Sequence, residues 1–101
     1  MEPYKAVIID DEPWSRTVIR ELADWDSFDI EIAGEASDGE FGLAMIRQIH
    51  PDIILTDVNM PHLSGIDLVK TMREEKNESP VIFISGYDNL GIYLGDEKSR
   101  L

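Results

Sequence analysis

Two short apolar runs that each end on aspartate constrain this chain more than any other feature. The first is "AVIIDDE", Ala6 to Glu12, and the second is "DIILTD", Asp52 to Asp57. Uninterrupted apolar stretches of this length predict strands covered on both faces. Segments with helical spacing separate them, and strands alternating with helices imply parallel pairing through right-handed crossovers. The fold class is therefore α/β with a doubly wound parallel sheet. Strand tips in such a sheet lie along one edge, so the acids that end these runs converge there.

The chain reads in detail as follows. Tyr4 to Asp10 is a first strand, and Pro13 suits the first turn of a helix, with acids before it that favour the positive end of the helix dipole. Trp14, Val18, Leu22 and Trp25 follow at helical spacing as one apolar stripe. Phe28 to Ala36 is a more polar strand, suited to an edge. "SDGE", Ser37 to Glu40, has the serine and glutamate spacing of a capping box, and Phe41, Ala44, Met45 and Ile49 continue as a helix face. A third strand ends at Asp57, "NMPHLSG" is a loop, and Leu68, Val69 and Met72 mark a third helix. Pro80 to Ser85 is a fourth strand.

Composition narrows the function. The chain has 101 residues, enough for one domain, with 21 acidic against 9 basic residues and a net charge of −12. A phosphate backbone is repelled by such a surface, so no nucleic acid is expected as a partner of this chain alone. There is no cysteine, which removes disulfides, thiolate metal sites and thiol nucleophiles. No apolar run approaches the roughly 18 to 20 residues that span a membrane, and "MEPYKA" lacks the regions of a signal peptide. No membrane partner and a cytoplasmic location are the expectations.

If the first and third strands are neighbours, Asp10, Asp11 and Asp57 meet within a few ångströms. Each close pair of charges then costs about 4 kcal/mol at an effective dielectric near 20. Such a cluster asks for a cation, and oxygen ligands without histidine or cysteine select a hard one, Mg²⁺ above all. Taken one at a time, these acids read equally well as helix caps or turn formers. Their joint placement on converging tips, with Ser85 on the next tip, favours the metal. His50 and His62 lack ligand spacing to a second histidine, and Gly65 reads as a close approach of loop to helix.

"VIIDDEPW", "PDIILTDVNMP", "SGIDL" and "VIFISGYD" together resemble the receiver domain of two-component response regulators, from about Tyr4 to Asn89. "DDEPW", the second tryptophan in "DW" and "SGYD" look most like receivers that precede an AraC-type DNA-binding module. The resemblance implies a flavodoxin-like fold and a phosphoacceptor role for Asp57, with a histidine kinase as partner and control of transcription as the outcome. It implies Mg²⁺ held by Asp10, Asp11, Asp57 and the backbone carbonyl of Asn59. It also implies that Ser85 hydrogen-bonds a phosphoryl oxygen and carries the switch, with Gly86 leaving space for the phosphate. Such a chain is an acceptor that catalyses its own phosphorylation, not an ordinary enzyme. A phosphatase of the haloacid dehalogenase type, which wants a second aspartate two positions after its nucleophile, meets Asn59 instead.

The resemblance stops after Asn89, dividing the chain into a receiver, 1–89, and a divergent tail, 90–101. A receiver should continue through a fourth helix, a fifth strand ending in a lysine followed by proline, and a fifth helix. "LGIYLGDEKSRL" leaves a C-terminally truncated pattern without that strand and helix, and Lys98 has no strand leading to it. The fourth strand should then be an open edge, unless Ile92, Tyr93 and Leu94 supply a remnant strand. A homodimer through the fourth strand and the tail is expected. The alternative function is a truncated receiver that binds or dimerises without a productive phospho-switch.

Overall fold

A computed structural model of the chain describes residues 2–84 and the backbone of Leu90–Tyr93. Its elements are β1 (Tyr4–Ile9), α1 (Pro13–Leu22), a short 3₁₀ turn (Trp25–Phe28), β2 (Ile30–Ala36), α2 (Gly39–Ile49), β3 (Ile53–Asp57), α3 (Gly65–Glu74), β4 (Val81–Ile84) and β5 (Leu90–Tyr93). The sheet order is β2-β1-β3-β4-β5. β1 pairs in parallel with β2 and β3, and β3 with β4, so the doubly wound expectation holds over four strands. Among the described residues no helix is long and apolar enough to cross a membrane.

Side chains of alternate strand residues build two cores, one on each face of the sheet. Val7, Ile9, Ile54, Val81 and Phe83 meet Leu43 and Ile46 of α2 and Leu68, Val69 and Met72 of α3. On the other face Ala6, Ile8 and Leu55 meet Ile19 of α1, with Ile53, Ile82 and Ile84 half-buried around them. The second face carries one helix among the described residues, and Ile82 and Ile84 of β4 are half-buried there. Gly34 in β2 lets α2 lie close, for a Cβ there would reach within 2.7 Å of the Met45 sulfur. An irregularity between Ala6 and Val7 shifts the β1–β2 register by one residue and leaves Ala33 unmatched.

Several expectations are corrected. The α1 stripe is out of phase: Trp14 is 74% exposed, Val18 and Leu22 are exposed too, and Ile19 is the buried residue. The helix is turned this way because Arg16 and Arg20 both reach Glu35 on β2. Trp25 lies in the 3₁₀ turn that precedes β2, so β2 starts at Ile30 and not at Phe28. The cap of α2 is Asp38, whose carboxylate accepts the Phe41 N–H at 2.7 Å, and not Ser37. With the helix started one residue later, Gly42, Leu43 and Ile46 face the core, Met45 and Ile49 flank it, and Phe41 and Ala44 face out.

Of the two expectations for the fourth strand, the remnant strand holds, from Leu90 to Tyr93. β5 pairs with β4 in antiparallel register from Val81↔Tyr93 to Ile84↔Leu90. A remnant strand thus stands where the resemblance implies a parallel fifth strand, and it satisfies the backbone groups that β4 would otherwise expose. The edge of the sheet is moved outward by one strand.

Candidate metal centre

The register of the central strands brings the acids together. Ile9 of β1 is opposite Thr56 of β3, so the next residues, Asp10 and Asp57, stand side by side at the carboxyl edge. Neighbouring strands are about 4.8 Å apart, so this alignment alone brings the carboxylates at the two strand tips into contact range. One oxygen each from Asp10, Asp11 and Asp57 lies within 4.8 Å of the others. Asp10 is buried, Asp57 half-buried and Asp11 exposed, giving a cluster with a closed floor and an open mouth.

Local hydrogen bonds fix the floor. The Asp10 N–H donates to the Ala36 carbonyl at 3.0 Å, carrying β1–β2 pairing one residue beyond the strand. Asp10 Oδ1 accepts the Glu12 N–H at 2.9 Å, and the Asp10 carbonyl accepts Arg16 Nη1 at 2.6 Å. On β3 the buried Thr56 hydroxyl donates to the Asp57 carbonyl at 3.0 Å. The Asn59 N–H faces Asp57 Oδ1 at 3.4 Å, a long bond that leaves this carboxylate weakly held.

Burial pushes the Asp10 carboxyl above the usual carboxylate range; the Glu12 N–H opposes this, and the charges of Asp57, Asp11 and Glu12 add to it. Asp57 is raised in the same way, by burial first, against the Asn59 and Val58 N–H groups and with Asp11 and Glu12 adding repulsion. Both shifts have one meaning: burial first, and neighbouring acids second, disfavour the charged form of these groups. Three carboxylate oxygens, at least one open side and no nitrogen or sulfur donor fit a hard, partly hydrated divalent ion such as Mg²⁺. They would hold it by direct or water-mediated oxygen contacts.

Asp10, Asp11 and Asp57 are thus brought together as expected. Asn59 lies exposed in the loop two residues after Asp57. Ser85, Gly86 and Lys98 lie outside the described residues, although Ile84 pairs with Asp57 in the β3–β4 register. His50 caps α2 at φ 54° and His62 sits in the loop at φ 72°, both exposed and outside the cluster. Arg16 is the residue that reading the sequence missed. Its signal was weak: one cation six positions after Asp10, on a helix whose phase had to be known first.

Comparison with known proteins follows the same geometry. The profile of the response regulator receiver domain family matches residues 6–93. The nitrate/nitrite response regulator NarL of Escherichia coli K12 is 36% identical over 84 residues, covering 83% of this chain and 38% of NarL. The chain therefore spans well under half of that relative's length. The receiver domain of AraT, a response regulator from Geobacillus stearothermophilus, superposes with a TM-score of 0.78 at 38% identity, covering 86% of this chain and 67% of that one. A two-component transcriptional regulator AraC from Clostridium phytofermentans gives 0.74 at 31% identity, covering 83% and 68%.

Proposed function

The chain belongs to the response regulator receiver domain family, and from that premise we propose that it is a phosphoacceptor charged on Asp57 by a histidine kinase in a Mg²⁺-dependent reaction. The observation that carries this reading is the convergence of three carboxylate oxygens within 4.8 Å at the tips of β1 and β3. An oxygen of Asp57 forms a bond to phosphorus while the bond from phosphorus to the donor nitrogen breaks, and the nitrogen leaves with a proton. Asp10 and Asp11 keep the approaching face of Asp57 ready for a cation. Bound there, Mg²⁺ supplies the positive charge that lets a carboxylate approach an anionic phosphoryl group. The Ser85 hydroxyl donates to a phosphoryl oxygen, and the Asn59 carbonyl completes the protein ligands.

The output is control of transcription. Relatives of both the NarL and AraC kinds match the receiver, so the AraC-type attachment rests on "DDEPW", the second tryptophan in "DW" and "SGYD". By its motifs the receiver unit is 1–89 with 90–101 as a divergent tail, of which the family profile still matches 90–93, and a cytoplasmic location is consistent with the role. Intact mass after incubation with Mg²⁺ and acetyl phosphate or phosphoramidate tests the reading. We expect a gain of one phosphoryl group that is lost in Asp57→Ala and in EDTA; a gain retained by Asp57→Ala would overturn it.

A second reading, a binding or dimerising module without a productive switch, is supported by the half-buried Ile53, Ile82 and Ile84 and by β5 as the outer strand. A homodimer on the β4–β5 side of the sheet would hide this surface. Two copies of charge −12 repel, so association should strengthen with salt. Sedimentation across a salt series separates the outcomes, a monomer at every ionic strength removing the dimer.

A further inference from the structure

Two glycines begin the helices that flank the acidic tips, and neither has room for a side chain. Gly39 is the first residue of α2 and Gly65 the first of α3. A Cβ on Gly39 would lie 2.2 Å from the Leu63 carbonyl oxygen and 2.8 Å from the Leu63 Cβ, and one on Gly65 would lie 2.2 Å from the Asp57 carbonyl oxygen. The nearest obstacles are backbone, which cannot swing aside as a side-chain tip can. The segment 58–64 is therefore gripped at both ends, by α3 near Asp57 and by α2 near Leu63.

The segment is also tied internally. Gly65 N–H donates to the Val58 carbonyl at 2.8 Å, and Leu63 N–H donates to the Pro61 carbonyl at 2.8 Å, closing a γ-turn around His62 at φ 72°. A non-glycine residue at that angle is strained and persists because its surroundings hold it. Little slack remains to absorb a displacement at Leu63. Asp57 stands at the entrance of this segment and Asn59 within it.

We propose that Gly39 is a positioning residue for the metal centre: by meeting the Leu63 carbonyl, the start of α2 sets the course of the loop that leaves Asp57 and carries Asn59. The inference rests on reading Asp10, Asp11 and Asp57 as a Mg²⁺ centre. A methyl group at Gly39 must drive the Leu63 carbonyl from 2.2 Å to at least 3.0 Å from the new Cβ. With Gly65 pinned against Asp57, that movement passes along the loop to the ligands. Mg²⁺ demands near-ideal octahedral geometry, whereas Ca²⁺ accepts longer and less regular contacts. The lesion should therefore be selective between the two ions.

The test is titration with Mg²⁺ and with Ca²⁺, followed by amide shifts, on the unaltered chain, Gly39→Ala and Gly34→Ala. The last crowds the flexible Met45 side chain within β2 and α2 and leaves the loop alone. We expect Gly39→Ala to weaken Mg²⁺ binding roughly tenfold and Ca²⁺ binding less, with Gly34→Ala unchanged for both. Gly39→Ala binding Mg²⁺ like the unaltered chain would overturn the proposal, as would equal losses in the two variants. An unaltered chain that binds no Mg²⁺ would instead remove the centre itself. Should Gly39→Ala fail to fold, the unaltered chain decides: the Gly39 and Leu63 amides must shift with the Mg²⁺ midpoint of Asp57, and an unmoved Gly39 amide overturns the coupling.

Discussion

Arg16 Nη1 donates to the backbone carbonyl of Asp10 at 2.6 Å, while Nε of the same guanidinium stands 3.3 Å from Glu35 Oε1. One cation ties α1 to the tip of β1 and to the edge strand β2. The bond goes to the Asp10 carbonyl and not to its carboxylate, which meets no cation among the described residues. Arg16→Met keeps the apolar stem and removes both bonds. We expect a loss of about 1–2 kcal/mol in urea unfolding, from a charged hydrogen bond and a half-buried ion pair. A change within error would mean that Ile19 packing and the Arg20–Glu35 pair suffice to hold α1.

The acidic cluster should destabilise the chain when no cation is present. Asp10→Asn or Asp57→Asn removes one of the mutually repelling charges and keeps the side-chain shape. In EDTA each variant should be more stable than the parent by about 1 kcal/mol, and each should lose the stabilisation that Mg²⁺ gives the parent. Destabilisation in EDTA would show that the carboxylates are held chiefly by hydrogen bonds and not against repulsion.

Stability against pH follows from the raised carboxyls. Asp10 and Asp57 titrate above their ordinary 3.8 in the folded chain, so the folded state holds protons more tightly there than the unfolded state. Their contribution is fully present below the ordinary value and is lost as pH rises through the raised folded values. Glu75, lowered by its hydrogen bond from Arg47, acts in the opposite sense, but this pair is exposed and screened. Unfolding in EDTA as the pH rises above 3.8 should therefore show a falling contribution that Asp10→Asn flattens. With Mg²⁺ the slope should reverse, because binding the ion releases protons. An unaltered slope in Asp10→Asn would contradict the assignment.

Trp14 offers an optical reporter. It stands 74% exposed at the second position of α1, four residues after Asp10, while Trp25 is held by Nε1 donating to the Ile19 and Arg20 carbonyls. Mg²⁺ should change the emission of the parent and of Trp25→Phe but not of Trp14→Phe. A response that follows Trp25 instead would place the structural change at the far end of α1.

The sequence by itself determined the strands and the acids at their tips. Apolar runs such as "AVII" and "IIL" bury both faces of a strand whatever surrounds them, and Asp10 and Asp57 end those runs, so their convergence was legible once parallel pairing was inferred. Gly65 against the Asp57 carbonyl was legible for a related reason, since a glycine that starts a helix after a loop marks a close approach. Tertiary structure decided the rest. Helical spacing in α1 allowed the Trp14, Val18 and Leu22 stripe, but Glu35 on a different strand chose the phase that buries Ile19. Ser37 and Asp38 are equally good caps by residue type, and the packing of Gly42 and Leu43 selected Asp38. β5 pairs antiparallel with β4, and Gly39 meets Leu63 across 24 positions of chain. Periodicity reports only what a residue's near neighbours require, whereas phase, cap and contact between distant segments are settled by which arrangement packs both faces of the sheet at once.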